Sequence, residues 1–364
     1  MLKNIIIPDQ MMAVVTTGNG GFDKLEYKKV RTPKPNNNEV LVKVLAAGIN
    51  NTEINTRLGW YSSSVKTGTD DLNNEIVEGG SSNSLNAGWD GSTQFPLIQG
   101  TDCCGEVVSS GSNRDNSLLG KRVIIRSCMR IKGFKSRQKM WMASNFDGAF
   151  AEYVKVPSTE VFPINCNWSD EELATIPCSY GTAENMLHIS KCNKNDIVLI
   201  TGASGGVGSA AIQLAKVRGS KIIAMLKKSK FDTALKIGAD QVIDRNDQLI
   251  EILGHNSVNL VVDVVGGEQF TDFLKIIKPG GRYVSSGAIA NPIVNFDLRD
   301  LYLKDIAMFG CTTWEEPIFS NLVNYIESSL ISPLLAKTFS LSDIQNAQRK
   351  FLQKNHFGNF VLIP

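Results

Sequence analysis

The apolar and polar positions divide the chain into two kinds of segment. At about 12–60 and 95–160, short apolar runs alternate with turn residues, a pattern typical of β-strands. From about 168 to 310, near-continuous apolar strands alternate with amphipathic helices, which predicts a doubly wound parallel sheet and hence an α/β fold. The predicted strands are 197–200, 222–226, 241–243, 260–265 and 283–286, and the predicted helices lie near 208–218, 230–237, 247–253 and 268–277.

Residues 62–93 have a different character. They are rich in Ser, Gly, Asn and Asp, and their large apolar residues are few. Such a segment buries little surface, so we expect a long surface loop, either a disordered insertion or a lid over a site.

The first strand of the alternating region ends in a glycine-rich turn. Residues 198–208 read VLITGASGGVG, and a helical pattern follows. Helix N-termini attract anions, and glycine lets a diphosphate approach the backbone. Ala203 stands in the first slot of the G-x-G-x-x-G pattern, yet the strand–turn–helix context predicts a dinucleotide site. Its residues are Ala203, Ser204, Gly205, Gly206, Val207 and Gly208.

The end of the second strand indicates which dinucleotide binds. An acidic residue there would bind the ribose 2′-hydroxyl of NAD, but this chain has Leu226 followed by Lys227, Lys228 and Lys230. Ammonium groups attract a 2′-phosphate, so the prediction is NADP(H). The alternative is that these lysines form a solvated loop.

Composition limits the remaining possibilities. The chain has 364 residues, enough for two domains, and its net charge of +2 does not favour nucleic acid or a membrane surface as a partner. No apolar run approaches the length of a membrane span, and the first ten residues lack a signal-peptide pattern. The seven cysteines form no C-x-x-C pair, which fits a reducing, cytoplasmic setting. The expected partner is a small-molecule substrate.

Seven short segments together resemble the medium-chain dehydrogenase/reductase superfamily, in its zinc-free quinone-oxidoreductase and enoyl-reductase-like branch. They are 46–50 (AAGIN), 100–102 (GTD), 120–123 (GKRV), 148–153 (GAFAEY), 203–208 (ASGGVG), 263–267 (DVVGG) and 278–281 (KPGG). The resemblance implies a GroES-like β-rich catalytic domain over 1–160, completed by 312–364, and a Rossmann NADP-binding domain over 161–311. It also implies a homodimer, for which 307–311 is the candidate edge strand.

The resemblance also assigns site residues. Zinc members of the superfamily carry metal ligands where this chain has Asn50 and Thr101-Asp102, so we expect no metal. Asn50 is a candidate donor to a substrate carbonyl, Tyr61 a candidate proton donor, and Glu53 a structural hydrogen-bonding group. Further cofactor-binding residues are Thr182, Val265, Gly266, Gly287 and Ala288. Asn359 stands where relatives often have a lysine.

The combined expectation is NADPH-dependent hydride transfer to a quinone or an α,β-unsaturated carbonyl. Such substrates spread negative charge onto an oxygen that hydrogen bonds can stabilise without a metal. The alternatives are a zinc-type alcohol dehydrogenase and a non-catalytic NADPH-binding protein. A basic stretch from Arg126 to Lys139 is either a solvated face or a binding surface for a phosphate-bearing substrate such as an acyl-CoA.

Overall fold

A computed structural model describes residues 6–77 and 91–364. The N-terminal part contains short strands and two helices. They are β1 (Gln10–Thr16), β2 (Leu25–Arg31), β3 (Glu39–Ile49), α1 (Asn51–Leu58), α2 (Thr69–Val77), β4 (Leu97–Ile98), β5 (Cys104–Ser110), β6 (Arg122–Ile125), β7 (Cys128–Met129), β8 (Met140–Trp141), β9 (Tyr153–Pro157) and β10 (Val161–Pro163).

The middle of the chain alternates strands and helices. They are α3 (Asp170–Leu173), α4 (Pro177–Ile189), β11 (Ile197–Ile200), α5 (Gly206–Val217), β12 (Lys221–Leu226), α6 (Phe231–Lys236), β13 (Gln241–Asp244), α7 (Leu249–Leu253), β14 (Val258–Asp263), α8 (Phe270–Ile276), β15 (Ile277–Ser285), α9 (Leu298–Tyr302) and β16 (Ala307–Gly310). The C-terminal part adds α10 (Pro317–Glu327), β17 (Leu335–Ser340), α11 (Ile344–Leu352) and β18 (Asn359–Ile363).

Strands β11–β16 form one parallel sheet in the order β13-β12-β11-β14-β15-β16. Its central strand β11 is apolar throughout because both faces are covered: Val198 and Ile200 pack into one core cluster and Leu199 into another. The predicted α/β fold with a doubly wound parallel sheet is therefore confirmed.

A second sheet joins the two ends of the chain. Its order is β10-β6-β5-β3-β18-β17, and β9 also pairs with β3. Strand β18 lies antiparallel to β3, with Phe360 opposite Ile49 and Val361 opposite Gly48. This pairing carries residues 354–359 to the start of α1, against the parallel sheet. The predicted domain boundaries at 160 and 311 stay predictions.

The prediction that residues 62–93 form a loop is wrong for part of this segment. Residues 69–77 form α2, in which Thr69 and Leu72 are buried. The spacing of Leu72 and Ile76 is that of one helix face, and both side chains pack against the core around β1 and β3. Residues 78–90 lie outside the described residues.

The basic stretch from Arg126 to Lys139 is also not a uniformly solvated face. The buried Arg126 forms an ion pair with the buried Glu160, at 2.7 Å. Arg130 is buried too and donates to the carbonyls of Trp314 and Phe134, at 2.7 and 2.6 Å. These two guanidinium groups hold the fold together and are not available to a phosphate. Among helices of the described ranges, none is long and apolar enough to cross a membrane.

Candidate active site

The carboxyl ends of strands β11–β15 face a groove that is closed on its other side by α1 and the C-terminal segment. The groove consists of two cavities, which we call cavity A (about 370 Å³) and cavity B (about 380 Å³). Cavity A lies at the ends of β12 and β13, and cavity B at the ends of β14 and β15. The residues common to both are Asn51, Gly202, Gly205, Gly206, Ile289 and Phe351. An elongated ligand would therefore cross the glycine turn at its middle.

The glycines of the turn have different roles. A Cβ on Gly205 would meet nothing closer than the oxygen of Gly202, at 3.5 Å, so the space beside Gly205 belongs to the groove. A Cβ on Gly208 would lie 2.3 Å from the same oxygen, and a Cβ on Gly206 2.3 Å from Ser179 Oγ. Gly205 thus opens the groove at the start of α5, where backbone N–H groups attract an anion, whereas Gly206 and Gly208 allow close packing.

Five of the six predicted turn residues line the groove: Ser204, Gly205, Gly206, Val207 and Gly208. Ala203 does not, because its side chain is fully buried beneath the turn. The side chain of Ala203 thus packs beneath the turn, and its assignment as a cofactor contact stays a prediction. Gly202, with a φ of +55°, was missed by the sequence pattern and forms the groove floor.

The predicted lysines differ in their availability. Lys227 lines cavity A, whereas Lys228 lines neither cavity. Lys230 lines cavity A, but its ammonium donates to Ser204 Oγ at 3.2 Å and to the carbonyls of Lys354 and His356. Burial and the neighbouring Lys227 and Arg245 lower the pKa of Lys230 to about 8.

Sequence reasoning missed two cations of cavity A, Arg245 and Lys354. Arg245 follows β13 as Lys227 follows β12, and its backbone N–H donates to the oxygen of Leu226, at 3.1 Å. Parallel pairing places the two strand ends side by side, so Lys227 and Arg245 face the same cavity. The signal available in the sequence was a basic residue directly after each of two predicted neighbouring strands.

The turn after β14 is built on Asp263. This buried carboxylate accepts from Thr201 Oγ1 at 2.5 Å, from Tyr283 Oη at 2.6 Å and from the backbone N–H groups of Val265 and Gly266. Val265 lines cavity A, but Gly266 lines neither cavity and supplies a φ of +65° to the turn. Gly287, Ala288 and Thr182 line cavity B.

Asn50 lies at the inner wall of cavity B, where β3 ends and α1 begins. Its Nδ2 donates to Asp102 Oδ2 at 2.7 Å and to Thr101 Oγ1 at 3.2 Å, and its Oδ1 accepts from Ser179 Oγ at 3.3 Å. Both amide hydrogens are thus engaged within the protein. The expectation that Asn50 donates to a substrate carbonyl does not fit this geometry, and Asn50 instead orders the cavity wall.

Two buried carboxyl groups stand behind Asn50. Burial raises the pKa of Asp102 to about 7, although hydrogen bonds from Asn50 and the N–H of Cys178 oppose the shift. Burial likewise raises the pKa of Glu53, which accepts from the backbone N–H groups of Asn50 and Thr101 and from Thr101 Oγ1. Glu53 therefore has the predicted hydrogen-bonding geometry.

This wall does not fit a catalytic zinc ion. The groups at the places named by the resemblance, Asn50, Thr101 and Asp102, are hydrogen-bonded to one another. Within residues 6–77 and 91–364, no three His, Cys, Asp or Glu side chains come together as a metal site. A zinc ion prefers several thiolate and imidazole ligands, and this wall supplies one thiol, that of Cys178, among amide, hydroxyl and carboxyl groups.

The outer part of cavity B is aromatic. Trp60 and Tyr61 lie edge to face at 5.4 Å, and Trp141 and Trp314 at 5.2 Å, measured between ring centroids. Burial raises the pKa of Tyr61, against a hydrogen bond with Asn55 that lowers it, so the phenol stays protonated. Cavity B therefore presents flat apolar surfaces and one phenolic proton to its occupant.

Comparison with known proteins identifies the family. A crystal structure of a candidate alcohol dehydrogenase from Sinorhizobium meliloti 1021 matches with a TM-score of 0.87 and 37% identity, over 98% of each chain. The chain belongs to the medium-chain dehydrogenase/reductase superfamily. The sequence profile of the "Alcohol dehydrogenase GroES-like domain" matches residues 36–166, and that of the "Zinc-binding dehydrogenase" family matches residues 206–328.

Curated relatives in the superfamily carry different names. An acryloyl-coenzyme A reductase from Metallosphaera sedula is 26% identical, over 97% of this chain and 99% of its own. An NAD-dependent alcohol dehydrogenase from Saccharolobus solfataricus is 25% identical, over 93% of this chain and 96% of its own. The chain is thus an oxidoreductase of a nicotinamide-dinucleotide-binding superfamily, and the relatives leave the dinucleotide and the substrate undecided.

Proposed function

We propose that this protein is an NADPH-dependent reductase of α,β-unsaturated carbonyl compounds or quinones, which works without a metal ion. The observation that carries the proposal is cavity B, where the strand-end residues Gly287 and Ala288 face an aromatic enclosure whose inner wall does not fit zinc. The similarity to an acryloyl-coenzyme A reductase supports the conjugated class of substrate.

The groove fits a dinucleotide in its shape and its charge. Gly205 leaves free space at the positive end of α5, where a diphosphate would lie, and Thr182 and Ala288 border the cavity that would take the nicotinamide. Lys227 and Arg245 border the other cavity and would hold the 2′-phosphate. A carboxylate after β12, which would repel that phosphate, is absent because Leu226 and Lys227 stand there.

When bound, a dihydronicotinamide would supply a hydride to the β-carbon of the substrate. The electron pair of the C=C bond then moves onto the carbonyl oxygen, and the α-carbon takes a proton. Tyr61 is the group in cavity B that we assign to donate this proton, because burial keeps it protonated and Trp60 holds its ring edge to face. Trp60, Trp141 and Trp314 surround this position with apolar surface.

The test is NADPH oxidation by the purified protein with a panel of enones, acryloyl-CoA, quinones and saturated aldehydes. We expect turnover with the conjugated substrates and quinones, little with saturated aldehydes, and no loss of activity after chelation. Stoichiometric zinc together with alcohol oxidation would support the zinc-type alternative instead. Dinucleotide binding without turnover of any substrate would support a non-catalytic binding protein.

The preference for NADPH has its own test. Replacing Lys227 and Arg245 with Met removes two cations from cavity A, and each charge-assisted hydrogen bond is worth roughly 1.5–3 kcal/mol. The double variant should lose at least roughly a hundredfold in kcat/KM for NADPH and little for NADH. Lys228→Met is the matched control, since Lys228 lines neither cavity. A wild-type protein that prefers NADH contradicts the assignment.

We also propose a homodimer that continues the parallel sheet. Within the described residues, β16 pairs with β15 and leaves its other edge exposed, next to the exposed apolar side chains of Met308, Tyr302 and Leu303. An exposed edge strand of this kind pairs readily with a second copy. Light scattering should show a dimer that Met308→Arg weakens, and a monomeric wild type would contradict the proposal.

A further inference from the structure

The groove has a cationic residue on the side opposite the parallel sheet. Lys354 follows α11 and lines cavity A together with Ser204, Gly205 and Gly206. Its ammonium donates to Asn51 Oδ1 at 2.8 Å and lies 4.6 Å from the centre of the Phe351 ring. Because Asn51 and Phe351 border both cavities, Lys354 sits beside the junction of A and B.

The junction is where the middle of a dinucleotide must lie, if its two ends occupy the two cavities. The middle of a dinucleotide is its diphosphate, and the start of α5 offers backbone N–H groups on one side of the junction. Lys354 stands on the other side. One N–H of its ammonium is used by Asn51, so two remain for phosphate oxygens.

The other lysines of cavity A are placed for different work. The ammonium of Lys230 is surrounded by Ser204 Oγ and the carbonyls of Lys354 and His356, which fixes the C-terminal segment to the parallel sheet. Lys227 lies at the end of β12 and lines cavity A but not cavity B. Only Lys354, among the described lysines of cavity A, contacts a shared residue through its side-chain nitrogen.

The surroundings of Lys354 leave its charge incompletely balanced. Burial lowers its pKa to about 8; Asp70 of α2 opposes this shift, and the nearby Lys230 adds to it. His356, the remaining titratable neighbour, is kept neutral, since burial and the two lysines lower its pKa to about 4. Among the described residues, Asp70 is thus the one carboxylate that lines cavity A, against three lysines and Arg245. An anionic ligand would relieve this imbalance of charge.

We propose that Lys354 binds the diphosphate of the dinucleotide, closing the groove over it from the C-terminal segment while Asn51 and Phe351 orient the ammonium. This inference rests on the proposed dinucleotide function and adds a cation to the site from outside the parallel sheet. It divides the phosphate recognition between two sets of residues: Lys354 serves any nicotinamide dinucleotide, whereas Lys227 and Arg245 serve the 2′-phosphate.

The test is calorimetric binding of ADP-ribose, which has the diphosphate, and of 2′-AMP, which has only the 2′-phosphate. Lys354→Met should weaken ADP-ribose, NADH and NADPH by the same factor, roughly ten- to hundredfold, and leave 2′-AMP unchanged. Lys354→Arg should restore much of the affinity. Lys227→Met should show the reverse pattern, weakening 2′-AMP and NADPH only.

Asn51→Ala distinguishes binding of the diphosphate by Lys354 from a structural role of the Lys354–Asn51 hydrogen bond. The variant removes that hydrogen bond but keeps the ammonium group. We expect it to weaken ADP-ribose much less than Lys354→Met does, and equal losses would show that Lys354 acts only as a tether. Raising the pH from 7 to 9.5 should narrow the gap between wild type and Lys354→Met severalfold, as the ammonium loses its proton.

The two proposals fail in distinguishable ways. A wild-type protein that binds neither ADP-ribose nor NADPH overturns the dinucleotide function itself. If Lys354→Met binds ADP-ribose as tightly as the wild-type protein does, only the proposed role of Lys354 is overturned. A loss in Lys354→Met that extends equally to 2′-AMP also overturns it, because it shows a general disturbance of cavity A.

Discussion

The buried carboxyl of Asp102 should make the stability of this protein depend on pH. Asp102 is fully buried and accepts hydrogen bonds from Asn50 Nδ2 at 2.7 Å and from the N–H of Cys178 at 2.5 Å. Those bonds favour its charged form, but burial outweighs them and raises the pKa from the ordinary 3.8 to about 7. The folded protein therefore keeps a proton on Asp102 at pH values where the unfolded chain has lost it.

The sign and size follow from these two pKa values. Below about pH 4 the carboxyl is protonated in both states. Between about pH 4 and 7 only the folded state holds the proton, so the free energy of unfolding falls by about 1.4 kcal/mol for each pH unit. The total contribution is about 4 kcal/mol, present at low pH and lost once the pH has risen through 7.

The perturbation is Asp102→Asn, which cannot ionise. The amide of Asn50 must turn over to face the new NH₂ group, which shifts the stability by an amount that does not depend on pH. Urea unfolding of both proteins should show wild type losing about 3 kcal/mol relative to Asp102→Asn between pH 5 and 7.5.

Asp232→Asn is the matched control, because Asp232 is exposed on α6 and lines neither cavity. Its difference from wild type should stay constant over the same range. A difference between wild type and Asp102→Asn that does not change from pH 5 to 7.5 would refute the reasoning, since it would mean that Asp102 is charged in the folded protein.

Four further substitutions test other parts of the structure. Tyr61→Phe should lower kcat on enones by about a hundredfold with unchanged NADPH affinity, and unchanged turnover in a stopped-flow assay would remove Tyr61 as the acid. Gly205→Ala should leave the melting temperature nearly unchanged but weaken NADPH binding, measured by calorimetry, at least tenfold. Gly208→Ala would place a Cβ 2.3 Å from the oxygen of Gly202, so it should destabilise the fold by about 2 kcal/mol. Arg130→Met should lower the free energy of unfolding in urea by about 2–4 kcal/mol, because the carbonyls of Trp314 and Phe134 lose their donor. An unchanged free energy of unfolding would indicate that the basic stretch is a solvated face.

Much of the architecture followed from local pattern. The strands of the parallel sheet had to be apolar on both faces, so β11 and β14 could be read directly, with boundaries within two residues or so of the observed ones. The turn at Gly205 was equally readable, since strand, glycines and helix are contiguous in the chain. The segment 69–77 was misjudged because its polar composition outweighed the helical spacing of Leu72 and Ile76.

The sequence by itself determined what contiguous residues can encode: the two kinds of segment, the anion-binding turn and the basic residues after β12. Tertiary structure decided which of those side chains are free. In the folded protein both amide hydrogens of Asn50 are hydrogen-bonded, and Arg126 and Arg130 are buried and paired with groups of the protein. Lys354 lies in the groove although it is about 150 residues from the glycine turn in the sequence. The physical reason is that hydrogen-bond partners and desolvation are set by residues distant in the chain, and a one-dimensional pattern does not contain those distances.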